Sequence, residues 1–128
     1  MSEEKKIKVV LLEPGKLART AEIGTSIEDL QNAVDGLIEP FYPFEEQVCI
    51  VCNDEGKING MLPNRSVKNK DGVMVDFIFG PAFICDCRGE SFDSLSDEQI
   101  ARYTKMFRYP EHLARLNGKL IGIPFNPQ

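Results

Sequence analysis

Four thiols, a single imidazole and a dense run of carboxylates carry most of the reactive chemistry in this 128-residue sequence. Cys49-x-x-Cys52 and Cys85-x-Cys87 together supply the four sulfurs that a structural tetrathiolate zinc site requires. Zinc knuckles hold such pairs on a tight turn, whereas Cys49 and Cys52 fall inside the apolar run Val48-Cys49-Ile50-Val51-Cys52, which has the pattern of a strand. At that spacing strand alternation sends the two side chains to opposite faces. The thiols therefore read first as small apolar core groups, with a zinc site at Cys49, Cys52, Cys85 and Cys87 as the minor alternative. A thioredoxin-like redox pair is weaker still, because that motif belongs at a helix N-terminus, where the dipole lowers the thiol pKa. No cofactor is expected.

His112 is the only histidine. No Gly-x-Ser-x-Gly surrounds any serine, and the ten glycines are scattered singly instead of being gathered into a phosphate-cradling loop. No catalytic residue is assigned, and His112 reads as a surface or half-buried structural side chain. Leu62-Pro63-Asn64-Arg65 and the later Asp76, followed by Gly80, combine donors, an acid and irregular backbone, the materials of a ligand site on a loop. Asn64, Arg65 and Asp76, with Tyr42, form the candidate binding set. The plainer reading of the same residues is turn chemistry plus one buried Arg65–Asp76 pair.

From Glu22 to Glu55 there are nine acidic residues and no Lys or Arg. Most charge runs are solvated faces. An ordered array of carboxylates can also stand in for DNA phosphates in a basic groove, drawn there by long-range attraction. Glu28, Asp29, Asp35, Glu39, Glu45 and Glu46 are the candidate acidic interaction face, and mimicry requires them on one surface. Ser96 to Lys119 has the opposite bias, five basic residues against three acidic.

The elements that must position these groups follow from pattern. Lys6 to Leu12 reads as a strand, ended by Glu13-Pro14-Gly15-Lys16, where Pro then Gly suit a type II turn, with a hairpin return through Ala18 to Ile23. Thr25-Ser26-Ile27-Glu28 is a capping box, and Ile27, Leu30 and Val34 share one face of the helix it starts, which Gly36 stops. Pro40 to Phe44 is expected as packed loop or edge strand, and Val48 to Cys52 as a central strand. The polar, punctuated stretch from Lys57 to Gly72 is the expected mobile or functional loop. Val73 to Phe79 and Ala82 to Cys87 read as two further strands. Ser96-Asp97-Glu98-Gln99 is a second capping box, opening a helix with Ile100, Tyr103, Met106 and Phe107 on its apolar face. Pro110 is placed to open a third, short helix to about Leu116.

Composition sets the frame. A chain of this length buries roughly two thirds of its unfolded surface and needs no disulfide or metal staple. With 42% hydrophobic and 27% charged residues it is an ordinary globular composition. A net charge of −5 disfavours direct nucleic-acid binding. The polar start has no signal-peptide core and no stretch is long enough to span a membrane, so the chain is expected to be cytoplasmic, with reduced thiols. A single domain over 1–128 is expected, with residues 1–5 and 126–128 flexible.

The segments Ile7 to Lys16, Tyr42-Pro43-Phe44-Glu45-Glu46, Cys49 to Lys57 and Phe83-Ile84-Cys85-Asp86-Cys87, with Asn64-Arg65 and Ser94 to Gln99, resemble domain-of-unknown-function family 3846. The resemblance covers most of residues 6 to 108 and implies a setting in gut bacteria and on their phages, plasmids and conjugative elements. It carries over no catalytic or binding residue. It also implies a protein partner, since small accessory proteins of mobile elements often bind a host or element protein.

The expected fold is α+β: a mostly antiparallel mixed sheet of about five or six strands with two or three helices packed on it. Val9, Leu11, Leu30, Val34, Ile50, Phe83, Ile84, Ile100 and Tyr103 are the expected core. The leading functional reading is a non-catalytic protein-interaction module of a mobile element or phage, with an unknown protein as partner. The alternatives are a small-molecule-binding or enzymatic domain with its pocket near Arg65 and Asp76, and a structural zinc-binding module.

Overall fold

The computed structural model describes residues 5–127. In chain order its elements are β1 (Lys6–Leu12), β2 (Arg19–Gly24), α1 (Ile27–Val34), β3 (Ile38–Phe41), β4 (Val48–Asn53), β5 (Pro63–Lys68), β6 (Met74–Phe79), β7 (Ala82–Asp86), α2 (Asp97–Met106), β8 (Glu111–Leu116) and β9 (Lys119–Pro124). Five strands form one antiparallel sheet in the order β2-β1-β7-β4-β3. β5 pairs with β6, and β8 with β9, as two separate two-stranded sheets.

Alternation along the inner strands divides the sheet's side chains between two cores. Ile7, Val9, Cys49, Val51, Phe83 and Cys85 pack beneath α1 through its Leu30 and Val34. Val10, Leu12, Val48, Ile50, Ala82 and Ile84 point the other way, onto Tyr103 and Phe107 at α2 and onto Val67 and Ile78 of the β5–β6 pair. The large sheet is thus the middle layer of three. Of the expected core, Leu11 and Ile100 are only partly buried, while Val9, Leu30, Val34, Ile50, Phe83, Ile84 and Tyr103 are buried.

The helix starts show what local chemistry decides. Ser96 caps α2, accepting from the Gln99 amide at 3.1 Å while the Gln99 side chain accepts from the Ser96 amide at 2.9 Å, the expected capping box. At α1 the cap is Ser26, one residue later than the Thr25 box expected from sequence: Ser26 Oγ accepts from the Asp29 amide, and Thr25 instead donates to the Lys5 carbonyl. Ile27, at the first helical position, is 65% exposed and does not join Leu30 and Val34 on the buried face. Pro14-Gly15 makes the turn after β1, with Gly15 at φ 74° as the second central position requires.

Two expectations are corrected. The stretch from Pro110 to Leu116 is not a third helix but β8, paired from Glu111↔Pro124 to Leu116↔Lys119 with β9. Asn117 and Gly118 take φ 50° and 79°, the paired left-handed conformations of a type I′ hairpin turn, and a helix of about two turns after Pro110 has too little cooperativity to compete. The stretch from Lys57 to Gly72 is not a continuous loop, because Pro63–Lys68 is β5, with Asn64, Arg65, Ser66 and Val67 all buried. The fold is mixed α+β as expected. Among the described residues, though, it has two helices and nine strands in three sheets, not five or six strands in one. Residues 1–4 and 128 of the expected flexible ends lie outside the described residues. No described helix is long and apolar enough to cross a membrane.

Candidate functional site

Arg65 is the largest fully buried side chain, at 0% exposure. Its five N–H groups all have acceptors. Nε donates to the Phe107 carbonyl at 2.6 Å, Nη1 to the Glu13 carbonyl at 3.1 Å and to Asn64 Oδ1 at 2.6 Å, and Nη2 to the Lys16 and Arg108 carbonyls at 2.6 and 3.4 Å. The Phe107 and Arg108 carbonyls are at the C-terminal, negative end of α2, where a cation is favoured. Burial lowers the guanidinium pKa to about 10, with Glu111 opposing the shift, so it stays protonated at neutral pH. Asn64 spends its own amide on the Leu12 and Gly80 carbonyls at 2.9 and 2.8 Å. These two residues tie β5 to the β1–β2 turn, to the end of α2 and to the start of β7.

The remaining members of the sequence-derived binding set lie elsewhere. Asp76 binds Lys57 Nζ at 2.7 Å and accepts from the Phe77 amide at 2.8 Å, so the Arg65–Asp76 pair does not form. Tyr42 is 64% exposed beyond the end of β3. The four residues do not converge on one cavity.

The candidate acidic face is also divided. Glu28 and Asp29 lie in the first turn of α1 and Asp35 caps its end, on one side of the large sheet. Glu46 reaches α2 on the other side. Glu39 lies exposed on β3, where a hydrogen bond with the Asp54 side chain, slight desolvation and the charges of Asp54 and Asp76 raise its pKa. Carboxylates on opposite layers cannot form the single phosphate-like array that mimicry needs.

The cysteines follow strand alternation. Cys49 and Cys85 face each other across β4 and β7 with sulfurs 3.8 Å apart in the core under α1, while Cys52 packs on the opposite core and donates to the Glu39 carbonyl. A hydrogen bond with Cys85 and burial push the Cys49 thiol far up; burial holds Cys52 and Cys87 at about 11. Among the described residues no group of three or more His, Cys, Asp or Glu is arranged to hold a metal ion. His112 stacks on Phe125 with ring centroids 4.0 Å apart.

What the structure does bring together is a groove of about 880 Å³ between α2 and the β5–β6 turn. Phe44, Tyr103 and Phe107 form an aromatic cluster in its floor, with Phe44 4.7 Å from Tyr103 and edge-on to Phe107 at 6.2 Å. Met106 and Arg102 line it from α2, one helical turn apart; Lys68 at the end of β5 and Asn69 and Lys70 of the turn line it opposite. Glu46 anchors the β3–β4 loop to α2: it accepts from Gln99 Nε2 at 2.7 Å, from the Tyr103 hydroxyl at 2.6 Å and from Arg102. The bond from Tyr103, followed by those from Gln99 and Arg102, lowers the Glu46 pKa against the effect of burial. Burial and the adjacent Glu46 anion raise that of Tyr103. Glu111 of β8 closes another part of the groove, its Oε1 accepting from the Ser66 hydroxyl at 2.6 Å and the Ser66 amide at 3.2 Å.

Of the sequence-derived site residues, only Glu45 and Glu46 line this groove. The helical spacing of Arg102 with Met106 and of Tyr103 with Phe107 was available in the sequence. Their meeting with the β3–β4 loop, more than fifty residues away, was not.

Residues 7–108 match the family model described as Domain of unknown function (DUF3846), and the chain belongs to that family. No curated protein and no solved structure is significantly similar to it. The match ends at Arg108, so the β8–β9 hairpin, and with it Glu111, lies beyond the matched region.

Proposed function

We propose that this member of the family is a non-catalytic protein-interaction module whose partner docks in the groove between α2 and the β5–β6 turn. The observation that carries the reading is the state of the polar groups there. The Ser66 hydroxyl donates to Glu111, the Tyr103 hydroxyl donates to Glu46, and Glu46 is held by three donors with its pKa lowered. Nucleophilic catalysis needs the hydroxyl to reach substrate, and Ser66 and Tyr103 are only 4% and 1% exposed. These groups are committed to each other, and what remains for a ligand is apolar floor and exposed charge, the composition of an interface core and rim. A cytoplasmic setting is part of the same proposal. The phage and mobile-element setting implied by the family resemblance favours a host or element protein as partner.

A small-molecule ligand in the same groove is the second reading, favoured by a volume within the few-hundred to thousand Å³ range of ligand pockets. It relocates the earlier alternative away from Arg65 and Asp76, whose hydrogen-bonding groups are engaged internally or with Lys57.

Affinity purification with the tagged protein tests the proposal. Met106 is 57% exposed in the groove and Ile58 is 85% exposed in the β4–β5 connection outside it, so either tolerates a charge without unfolding. A partner retained by wild type and Ile58→Glu and lost with Met106→Glu is expected. Partner capture unchanged by Met106→Glu overturns the proposal.

A further inference from the structure

On the α1 side of the large sheet, independent of the groove, we propose that Cys87, Cys49 and Cys85 form a thiol–disulfide relay. Cys87 meets a small-molecule disulfide, and the oxidised form comes to rest as a bond between Cys49 and Cys85. These two are directly opposite residues of β4 and β7, both 0% exposed, with their sulfurs in contact at 3.8 Å. Opposite residues of an antiparallel pair have Cα atoms roughly 4.5–5.5 Å apart, inside the roughly 4.4–6.8 Å that a disulfide spans. Side-chain rotation, without movement of either strand, closes the remaining gap. Cys87 lies one residue past β7 at the margin of the same core, partly buried, and its thiol hydrogen-bonds with that of Cys49. Cys52 faces the opposite core and stands outside the set.

The exchange balances with these three sulfurs and one disulfide R–S–S–R. Cys87 gives up its proton and attacks one sulfur; the S–S bond breaks, and R–S⁻ leaves and takes the proton. Cys49 then attacks the Cys87 sulfur of the mixed disulfide and expels the second R–S⁻, which takes the Cys49 proton. An internal thiol makes this attack with no route from solvent, which suits a sulfur at 0% exposure. A bond between diagonal neighbours is strained relative to one between opposite residues. Cys85 therefore attacks the Cys49 sulfur and returns the thiol, with the Cys85 proton, to Cys87. Two protein thiols have lost two electrons, and one small disulfide has become two thiols. Burial holds Cys87 protonated, so the first step is slow at neutral pH. The product carries no charge, and apolar surroundings that disfavour a thiolate do not disfavour it.

The test exposes the reduced protein to oxidised glutathione, quenches in acid, alkylates in urea and maps the peptides by mass spectrometry, with fragmentation between Cys85 and Cys87 to place the bond. Wild type and Cys52→Ser are expected to lose two hydrogens and to carry a Cys49–Cys85 link formed at equal rates. Formation is expected to be at least about tenfold slower in Cys87→Ser, and Cys49→Ala is expected to stop at a lasting mixed disulfide on Cys87. Circular dichroism first shows that each variant is folded, and the wild-type map decides the bond independently of any variant. Lasting glutathione adducts on wild type with no internal link overturn the proposal, as does a link that appears only in urea. A Cys49–Cys85 link formed equally fast in Cys87→Ser overturns the relay, since the bond would then form without its entry thiol.

Discussion

Replacing Arg65 with Lys keeps the charge and removes the fork. Five acceptors surround the guanidinium: the Glu13, Lys16, Phe107 and Arg108 carbonyls and Asn64 Oδ1. The Glu13 and Arg108 carbonyls also accept from the Lys16 and Ala18 amides, so the Phe107 and Lys16 carbonyls and Asn64 Oδ1 are the acceptors that depend on the fork. One ammonium nitrogen replaces three guanidinium nitrogens that each serve one of them, so at least one is left unpaired in a site where Arg65 is 0% exposed. At roughly 1–3 kcal/mol for each buried group without a partner, the expected loss is about 1–3 kcal/mol or more, out of the roughly 5–15 kcal/mol typical of a domain, with a loss of at least about 3 °C in Tm. Arg65→Met leaves all three without this donor and is expected to cost more than Lys. Urea unfolding followed by far-UV circular dichroism measures both, with the m-value unchanged if only stability moves. A loss under about 1 kcal/mol for Lys refutes the reasoning. So does Met tolerated better than Lys, since the cost would then come from burying the charge and not from orphaning its acceptors.

Three further outcomes follow from the same geometry. Glu46 has a folded-state pKa below its unfolded value, so its contribution is present above the ordinary carboxylate range and lost as pH falls through the folded pKa; wild-type stability is expected to drop there. Glu46→Gln, costing about 1–2 kcal/mol at neutral pH, is expected to blunt that drop in chemical melts taken across acidic pH. Gly118→Ala forces a β-carbon onto φ 79° in the β8–β9 turn and is expected to lower stability by about 1 kcal/mol, checked by thermal melting. Native-state titration with a thiol reagent is expected to leave Cys49 and Cys85 unreacted until urea is added, while the partly buried Cys52 and Cys87 react slowly; prompt reaction of all four contradicts the packing.

The sequence was most legible where side chains alternate against one core. The apolar run from Val48 to Cys52 and the capping box at Ser96 announce β4 and α2, because strand period and cap chemistry are local. The opposite facing of Cys49 and Cys52 follows from the same period. β5 was misread because its polarity resembles a loop: nothing local tells Asn64 and Arg65 that carbonyls of Leu12, Glu13, Lys16 and Phe107 wait for them, all more than forty residues away in the chain. At β8 the signal was present in Asn117-Gly118, and the weight given to Pro110 as a helix opener hid it. The groove was invisible for the β5 reason, since its walls come from four separate segments of the chain.

The groove between α2 and the β5–β6 turn is the surface proposed to bind the partner. The most direct measurement introduces a photo-crosslinking residue at position 106, with the same residue at position 58 as the surface control, and irradiates intact cells. A discrete protein adduct at 106 and none at 58 is the predicted result. Adducts of equal yield at both positions, or at 58 alone, would contradict it.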